Sequence, residues 1–113
     1  MKTPTQCALW TRPQLSNDPG FFEIVEVFDD EEHFSRDLRR CRECGQLYIH
    51  DFYEEVNFSG GDDHQYACYV PVETAEEIES IRNVLAYELL HVYPHLLKYL
   101  SADTIYWCTE RRT

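Results

Sequence analysis

Two cysteines separated by two residues carry the clearest chemistry in this 113-residue chain. They occur in the run Cys41-Arg42-Glu43-Cys44-Gly45. This spacing lets two sulfur atoms converge on one tetrahedral ion, and Gly45 permits the positive-φ turn that often follows such a pair. The pair is therefore a candidate for half of a structural zinc site, since thiolate ligands favour zinc. Two ordinary reduced thiols in a turn are the alternative.

The remaining ligands have to come from other cysteines or from a histidine. Cys68 and Cys108 are preferred, because both fall on predicted strands that could lie beside the thiol pair, and Cys7 is a spare. His64 and Cys68 imitate a zinc-finger spacing, but four residues of strand span about 13 Å, which is too far for one ion. The predicted metal ligands are Cys41, Cys44, Cys68 and Cys108.

The segment from Cys41 to Tyr48 resembles the knuckle of zinc-ribbon and rubredoxin-like proteins, in which Cys-x-x-Cys-Gly leads into a strand. Those families supply a second Cys-x-x-Cys, which this chain lacks. The same segment, Cys-x-x-Cys-Gly-x-Leu-Tyr, resembles one in small bacterial proteins of unassigned function. Small acidic proteins of that kind are sometimes toxin-neutralising partners, so the analogy implies a neutralising or regulatory role.

A second interpretation of the thiol pair is a thiol-redox or metal-dependent enzyme that uses Cys41 and Cys44. A redox pair normally lies at a helix N-terminus, where the dipole lowers the thiol pKa. Here the predicted helix ends just before Cys41, which disfavours redox catalysis. The sequence contains no phosphate-binding loop, dinucleotide fingerprint or nucleophile elbow, and we predict no catalytic residue.

One further spacing is typical of a metal site. Glu88, His91 and His95 have the separations seen in four-helix carboxylate proteins. Those proteins need a second such pair, which is absent here, and Pro94 would disturb the helix between the two histidines. We interpret these residues as a helix face.

The charge balance limits the partners that the chain can bind. The net charge is −11 at pH 7. Such a surface repels phosphates, so we expect neither nucleic-acid binding nor adhesion to an anionic membrane. It suits a basic protein partner, and residues 52–58 combine aromatic side chains with carboxylates that would contact one. A non-catalytic protein-binding module is the leading interpretation, and solubility alone is the other explanation of the charge.

The cysteine count and the first 20 residues indicate a reducing compartment. Five cysteines is an odd number, and residues 1–20 lack the long apolar run of a secretory signal. The longest apolar stretches are also too short to cross a bilayer. We therefore expect a cytoplasmic protein with reduced or metal-bound thiols.

The elements that must position these residues are predicted from periodicity. A helix is expected over residues 30–39, because Phe34 and Leu38 lie four apart and acidic residues precede basic ones. A second helix begins at Thr74, whose spacing from Glu77 is that of a capping box. Runs of β-branched and aromatic residues predict strands at 21–28, 46–58, 65–72 and 104–108.

The second helix sets the predicted architecture. Apolar residues at helical spacing continue it to Val92, and residues 95–100 form a short further segment after Pro94. Residues 1–20 are an irregular arm with a short strand at 7–10. The order is β-α-β-β-α-β, which predicts one α+β domain over residues 1–113, with a mostly antiparallel sheet of about four strands packed with two main helices.

Overall fold

Six strands, each paired antiparallel with the next along the chain, form one sheet in the order of the sequence. The structure is a computed structural model that describes residues 1–55, 64–100 and 102–110. Antiparallel neighbours can be joined by short connections, but the one from β4 to β5, residues 73–94, is long and contains helical segments. The strands are β1 (Phe22–Asp30), β2 (Phe34–Cys41), β3 (Leu47–Glu55), β4 (His64–Val72), β5 (His95–Tyr99) and β6 (Thr104–Cys108).

Helical segments cover both faces of the sheet. They are α1 (Ala8–Thr11), a 3-10 turn at Pro13–Asn17, α2 (Ala75–Ile81) and a 3-10 turn at Glu88–His91. The N-terminal arm, residues 1–20, packs Leu9 against one face, which we call the arm face. Ile81 and Leu89 pack against the other, which we call the helix face. The protein therefore has a hydrophobic core on each side of the sheet.

The predicted α+β class, with about four strands and two main helices, is wrong. The sheet has six strands, and residues 30–39 and 95–100 contribute to β2 and β5 instead of helices. Residues 7–10, predicted as a strand, contain most of α1. The strands predicted at 21–28, 46–58, 65–72 and 104–108 correspond to β1, β3, β4 and β6, although residues 56–63 lie outside the described part.

The error in β2 has a specific cause. Phe34 and Leu38 lie four apart, a spacing that places two side chains on one face of either a helix or a strand. The residue between them that would reveal a strand is Arg36, which is charged and yet buried. It pairs with Asp51, its cross-strand neighbour on β3. Asp37, on the opposite face of β2, is buried as well, so buried charges on both faces conceal the strand in the sequence.

Strand β5 was missed because both of its faces are covered. Leu96 packs on the arm face, while its neighbour Leu97 is buried on the other side. A strand that is buried on both faces shows no alternation of polar and apolar residues. Its run of buried side chains therefore resembles the buried stripe of a short helix.

Helix α2 begins as predicted and ends early. The Thr74 hydroxyl accepts the Glu77 N–H at 3.1 Å, and the Glu77 carboxylate accepts the Thr74 N–H at 3.3 Å, which confirms the capping box. The helix ends at Ile81, and Arg36 Nη1 donates to the carbonyls of Arg82 and Val84 in the segment that follows. No helix in the described residues is long and apolar enough to cross a bilayer.

Candidate metal centre

Three cysteine sulfur atoms come together where the arm meets the end of β2. The Sγ atoms of Cys7, Cys41 and Cys44 all lie within 4.8 Å of one another. Zinc binds thiolate sulfur at about 2.3 Å in a tetrahedron, which places neighbouring sulfurs about 3.8 Å apart. The three thiols are therefore close enough to hold one metal ion.

The turn from β2 to β3 positions two of the three thiols. Cys41 is the last residue of β2, and its N–H donates to the Gln46 carbonyl at 2.8 Å. The Gly45 N–H donates back to the Cys41 carbonyl at 2.9 Å. Gly45 has φ 83°, a left-handed conformation that glycine adopts without strain. This turn directs the Cys44 side chain back toward Cys41, as the Cys-x-x-Cys-Gly spacing predicted.

The arm supplies the third thiol. Cys7 precedes α1, and its N–H donates to the Pro4 carbonyl at 3.0 Å. The arm is held on the sheet by the Trp107 indole, whose Nε1–H donates to the Leu9 carbonyl at 3.1 Å. Cys7 and Cys41 are both buried in the core of the arm face. The packing of the arm therefore determines whether the third ligand is in place.

Cys68 and Cys108 lie elsewhere. Cys41 packs in the core of the arm face, and Cys68 packs in that of the helix face. Cys108 pairs across strands with His95, a register that places its side chain on the same face as Cys68. The sheet itself thus separates both residues from the cluster. The structure does not bring together the predicted set of Cys41, Cys44, Cys68 and Cys108, and it groups the first two with Cys7.

Burial keeps part of this cluster neutral when no metal is bound. Burial raises the pKa of the Cys7 thiol to about 12, against an opposing effect of Tyr48. The hydroxyl of Tyr48 is itself buried beside Cys7 and has no hydrogen-bond partner of good geometry within the described residues. A phenol in that place can donate to a thiolate sulfur. Metal binding would supply that thiolate, because a metal displaces the thiol proton.

A cleft borders the cluster on its solvent side. Its volume is about 230 Å³. Cys44 is exposed and Cys7 is buried, so the three thiols lie between the core and this opening. The residues that line the cleft are Gln6, Cys7, Cys44, Gly45, Gln46, Leu47, Val72 and Glu73.

The other sequence spacing typical of a metal site does not bring its residues together. Glu88 and His91 bound a 3-10 turn, and His95 begins β5, so the three do not share a helix face. His95 is buried, with Nδ1 2.8 Å from the Val92 carbonyl oxygen. The helix predicted before Cys41 is a strand, and neither thiol of the pair lies at a helix N-terminus. The redox interpretation therefore lacks the dipole that would lower a thiol pKa.

Cys7, predicted only as a spare ligand, is the third member of the cluster. A cysteine in an irregular arm carries no spacing signal, because its distance from the knuckle depends on how the arm packs. The available signal was the shortage of ligands itself, which made every cysteine outside the pair a candidate. Comparison with protein-family models, curated proteins and solved structures finds no match to this chain.

Proposed function

We propose that Cys7, Cys41 and Cys44 bind one zinc ion that fastens the N-terminal arm to the sheet. The observation that carries the proposal is the convergence of three sulfur atoms within 4.8 Å from two segments distant in sequence. Thiolate sulfur favours zinc among the common divalent ions when the geometry is tetrahedral. The role is structural, because the ion would cross-link a short arm to the end of β2.

Zinc binding would contribute directly to folding. The arm has little regular structure of its own, with a four-residue helix and a five-residue 3-10 turn. Elements this short are not stable alone and depend on packing. A ligand that binds only the folded state stabilises it by about 4 kcal/mol at 1,000 times its Kd. The ion would therefore favour the docked arm over a detached one.

Metal content and stability test this proposal in one series of variants. The expected result is one zinc per chain in the wild type, and loss of zinc in the three single variants Cys7→Ser, Cys41→Ser and Cys44→Ser. Cys108→Ser is the matched control and keeps its zinc, because Cys108 lies on the other face of the sheet. Retention of zinc in Cys7→Ser, together with its loss in Cys108→Ser, would contradict the assignment.

A second function, binding of a basic protein partner, is supported by strand β1. Three β-branched side chains on this outermost strand, Ile24, Val25 and Val27, are 54%, 41% and 59% exposed. Glu23 and Glu26 flank Ile24 and Val25 in the chain. We propose that this exposed apolar and acidic edge binds an extended basic segment, since apolar anchors within a charged rim suit a partner of opposite charge.

A synthetic peptide of alternating Lys and Val residues is the probe for this surface. Binding is expected to weaken in Val27→Lys and to fall as salt is raised, because it depends on both apolar contact and charge. Leu85→Lys is the control, since Leu85 is 76% exposed but lies outside β1. Equal loss in both variants, or equal binding of an alternating Glu and Val peptide, would contradict the proposal.

A further inference from the structure

The three thiols supply three of the four ligands that a tetrahedral zinc ion requires. Within the described residues, no further His, Cys, Asp or Glu joins the group whose ligand atoms lie within 4.8 Å of one another. Cys44 is exposed and lines the cleft of about 230 Å³, whereas Cys41 is buried. An ion held by these sulfurs would therefore be enclosed by protein on the core side and face the cleft on the other.

Two polar side chains that line the cleft make contacts away from the thiols. Gln46 is held between two strands by its Nε2, which donates to the Leu47 and Val72 carbonyls at 3.1 Å each. Glu73 also lines the cleft, but its carboxylate is directed toward Lys2, with 3.8 Å between Oε2 and Nζ. Its side chain is half-exposed and is not part of the thiol group.

The charge of the site limits which outside donor would bind. Three thiolates around one Zn²⁺ leave a net charge of −1, and Glu73 adds a carboxylate at the rim of the cleft. The chain as a whole carries a net charge of −11. An anionic ligand would be repelled at this position, and a neutral one would not. Neutral nitrogen is a good zinc ligand, as in imidazole.

We propose that the fourth coordination position opens into this cleft, and that water there exchanges with a small neutral nitrogen donor. This inference rests on the proposed zinc site and adds an exchangeable position to it. Zinc sites with a structural role alone have all four positions filled by protein, whereas an open position would let this site bind a ligand in addition to anchoring the arm. The chain would therefore hold a metal that can also receive a ligand.

Cobalt substitution tests the open position on the full chain, with imidazole as the neutral probe and azide as the anionic one. Co²⁺ bound to three thiolates is expected to show sulfur-to-metal charge-transfer absorption. Adding imidazole should shift the d–d bands while the charge-transfer bands keep their intensity, with half-saturation at about 1–10 mM, the range of weak ligands. Azide should require at least about ten times the concentration, which corresponds to a difference of about 1.4 kcal/mol.

The variant Glu73→Gln separates the alternatives. If the wild type does not respond to imidazole but Glu73→Gln does, Glu73 is the fourth ligand and the open position is refuted. The open position would also be refuted if imidazole shifted the d–d bands of neither protein, or if it bleached the charge-transfer bands. Binding of azide at the same concentration as imidazole would refute it as well. A shift in both proteins supports it. Absence of charge-transfer bands before any probe is added would instead refute the zinc proposal itself, so the two failures are distinguishable.

Discussion

Arg36 and Asp51 form a buried bidentate ion pair between neighbouring strands on the helix face of the sheet. Arg36 Nε lies 2.6 Å from Asp51 Oδ1, and Arg36 Nη2 lies 2.7 Å from Asp51 Oδ2. The Tyr53 hydroxyl donates to the same carboxylate at 2.6 Å. Arg36 Nη1 also donates to the Arg82 carbonyl at 3.2 Å, just after α2. One guanidinium thus joins β2, β3 and the segment that follows the helix.

Replacement of Arg36 by Met should be strongly destabilising. The Asp51 side chain is fully buried, and removal of its cation leaves an unpaired charge in the core. Breaking a buried pair on one side costs about 3–5 kcal/mol, whereas replacing both partners by apolar groups costs much less. Urea unfolding at pH 7 should therefore show a large loss for Arg36→Met and a smaller one for the double variant Arg36→Met with Asp51→Leu.

An exposed ion pair on the same strand provides the control for that prediction. Arg40 Nη1 lies 2.8 Å from Glu23 Oε1, but both side chains are nearly half exposed. Such pairs contribute about 0–1 kcal/mol. Arg40→Met should therefore change the free energy of unfolding by no more than about 1 kcal/mol. Equal losses in Arg36→Met and Arg40→Met would mean that burial of the first pair has no energetic consequence.

The same Arg36 shows how far the sequence could predict the fold. Strands with a visible run of β-branched or aromatic residues, such as β1 and β6, were predicted, and so was the capping box at Thr74. The helix predicted over residues 30–39 was wrong because a buried charge is indistinguishable in sequence from an exposed one. Its burial depends on Asp51, which lies on another strand, and single-sequence periodicity contains no information on that pairing.

The candidate site shows a related limit. The turn that brings Cys41 and Cys44 together is local, so its spacing and Gly45 were sufficient to predict it. The third thiol comes from the packing of the arm on the sheet, which is not encoded in any local spacing. Cys68 was preferred because its strand lies close to the pair, but the face of a strand depends on register, and one residue of register reverses it.

Docking of the arm should be coupled to metal binding through Trp107. Trp107→Phe removes the hydrogen bond from Nε1 to the Leu9 carbonyl, two residues after Cys7. Loss of one such bond costs about 0.5–1.5 kcal/mol, so zinc affinity should fall by up to about tenfold. Competition with a chromophoric zinc chelator measures this change.

Trp10→Phe is the control, because it keeps that hydrogen bond while altering the Trp10–Trp107 ring contact of 4.9 Å. An unchanged zinc affinity in Trp107→Phe would show that this anchor of the arm does not contribute to metal binding.

Helix α2 should depend on its N-terminal cap. Thr74→Ala removes the hydroxyl that accepts the Glu77 N–H at 3.1 Å, and the expected loss is about 1 kcal/mol in the free energy of unfolding. Thr74→Ser keeps a hydroxyl at the same place and should retain most of the stability. Thermal and urea unfolding both measure the difference. If Thr74→Ala and Thr74→Ser are equally stable, the capping box does not contribute to the fold.

Stability should decrease in mild acid because of His50. This residue is buried on β3, and burial lowers the pKa of its imidazole below the usual value, although Asp37 opposes the effect. Its Nδ1 lies 3.3 Å from Asp37 Oδ1, and Arg39 donates to the same oxygen at 2.8 Å. On the other side its ring packs against Tyr69 at 4.7 Å between centroids. The charged groups that surround His50 are therefore one carboxylate and one guanidinium from β2, with Asp51 next to it in the chain.

The sign of the pH dependence follows from this lowered pKa. The unfolded chain takes up a proton at His50 below about pH 6.5, whereas the folded protein does so only at lower pH. The unfolded state then binds more protons, so the free energy of unfolding falls as the pH drops below about 6.5, and His50 contributes no slope well above that value. In His50→Gln, the free energy of unfolding should decrease less between about pH 7.5 and 5 than in the wild type, as measured by urea unfolding at each pH. His64→Gln, which alters an exposed histidine at the start of β4, is the matched control. An equally steep loss in His50→Gln would show that another group, such as the buried His95, accounts for it.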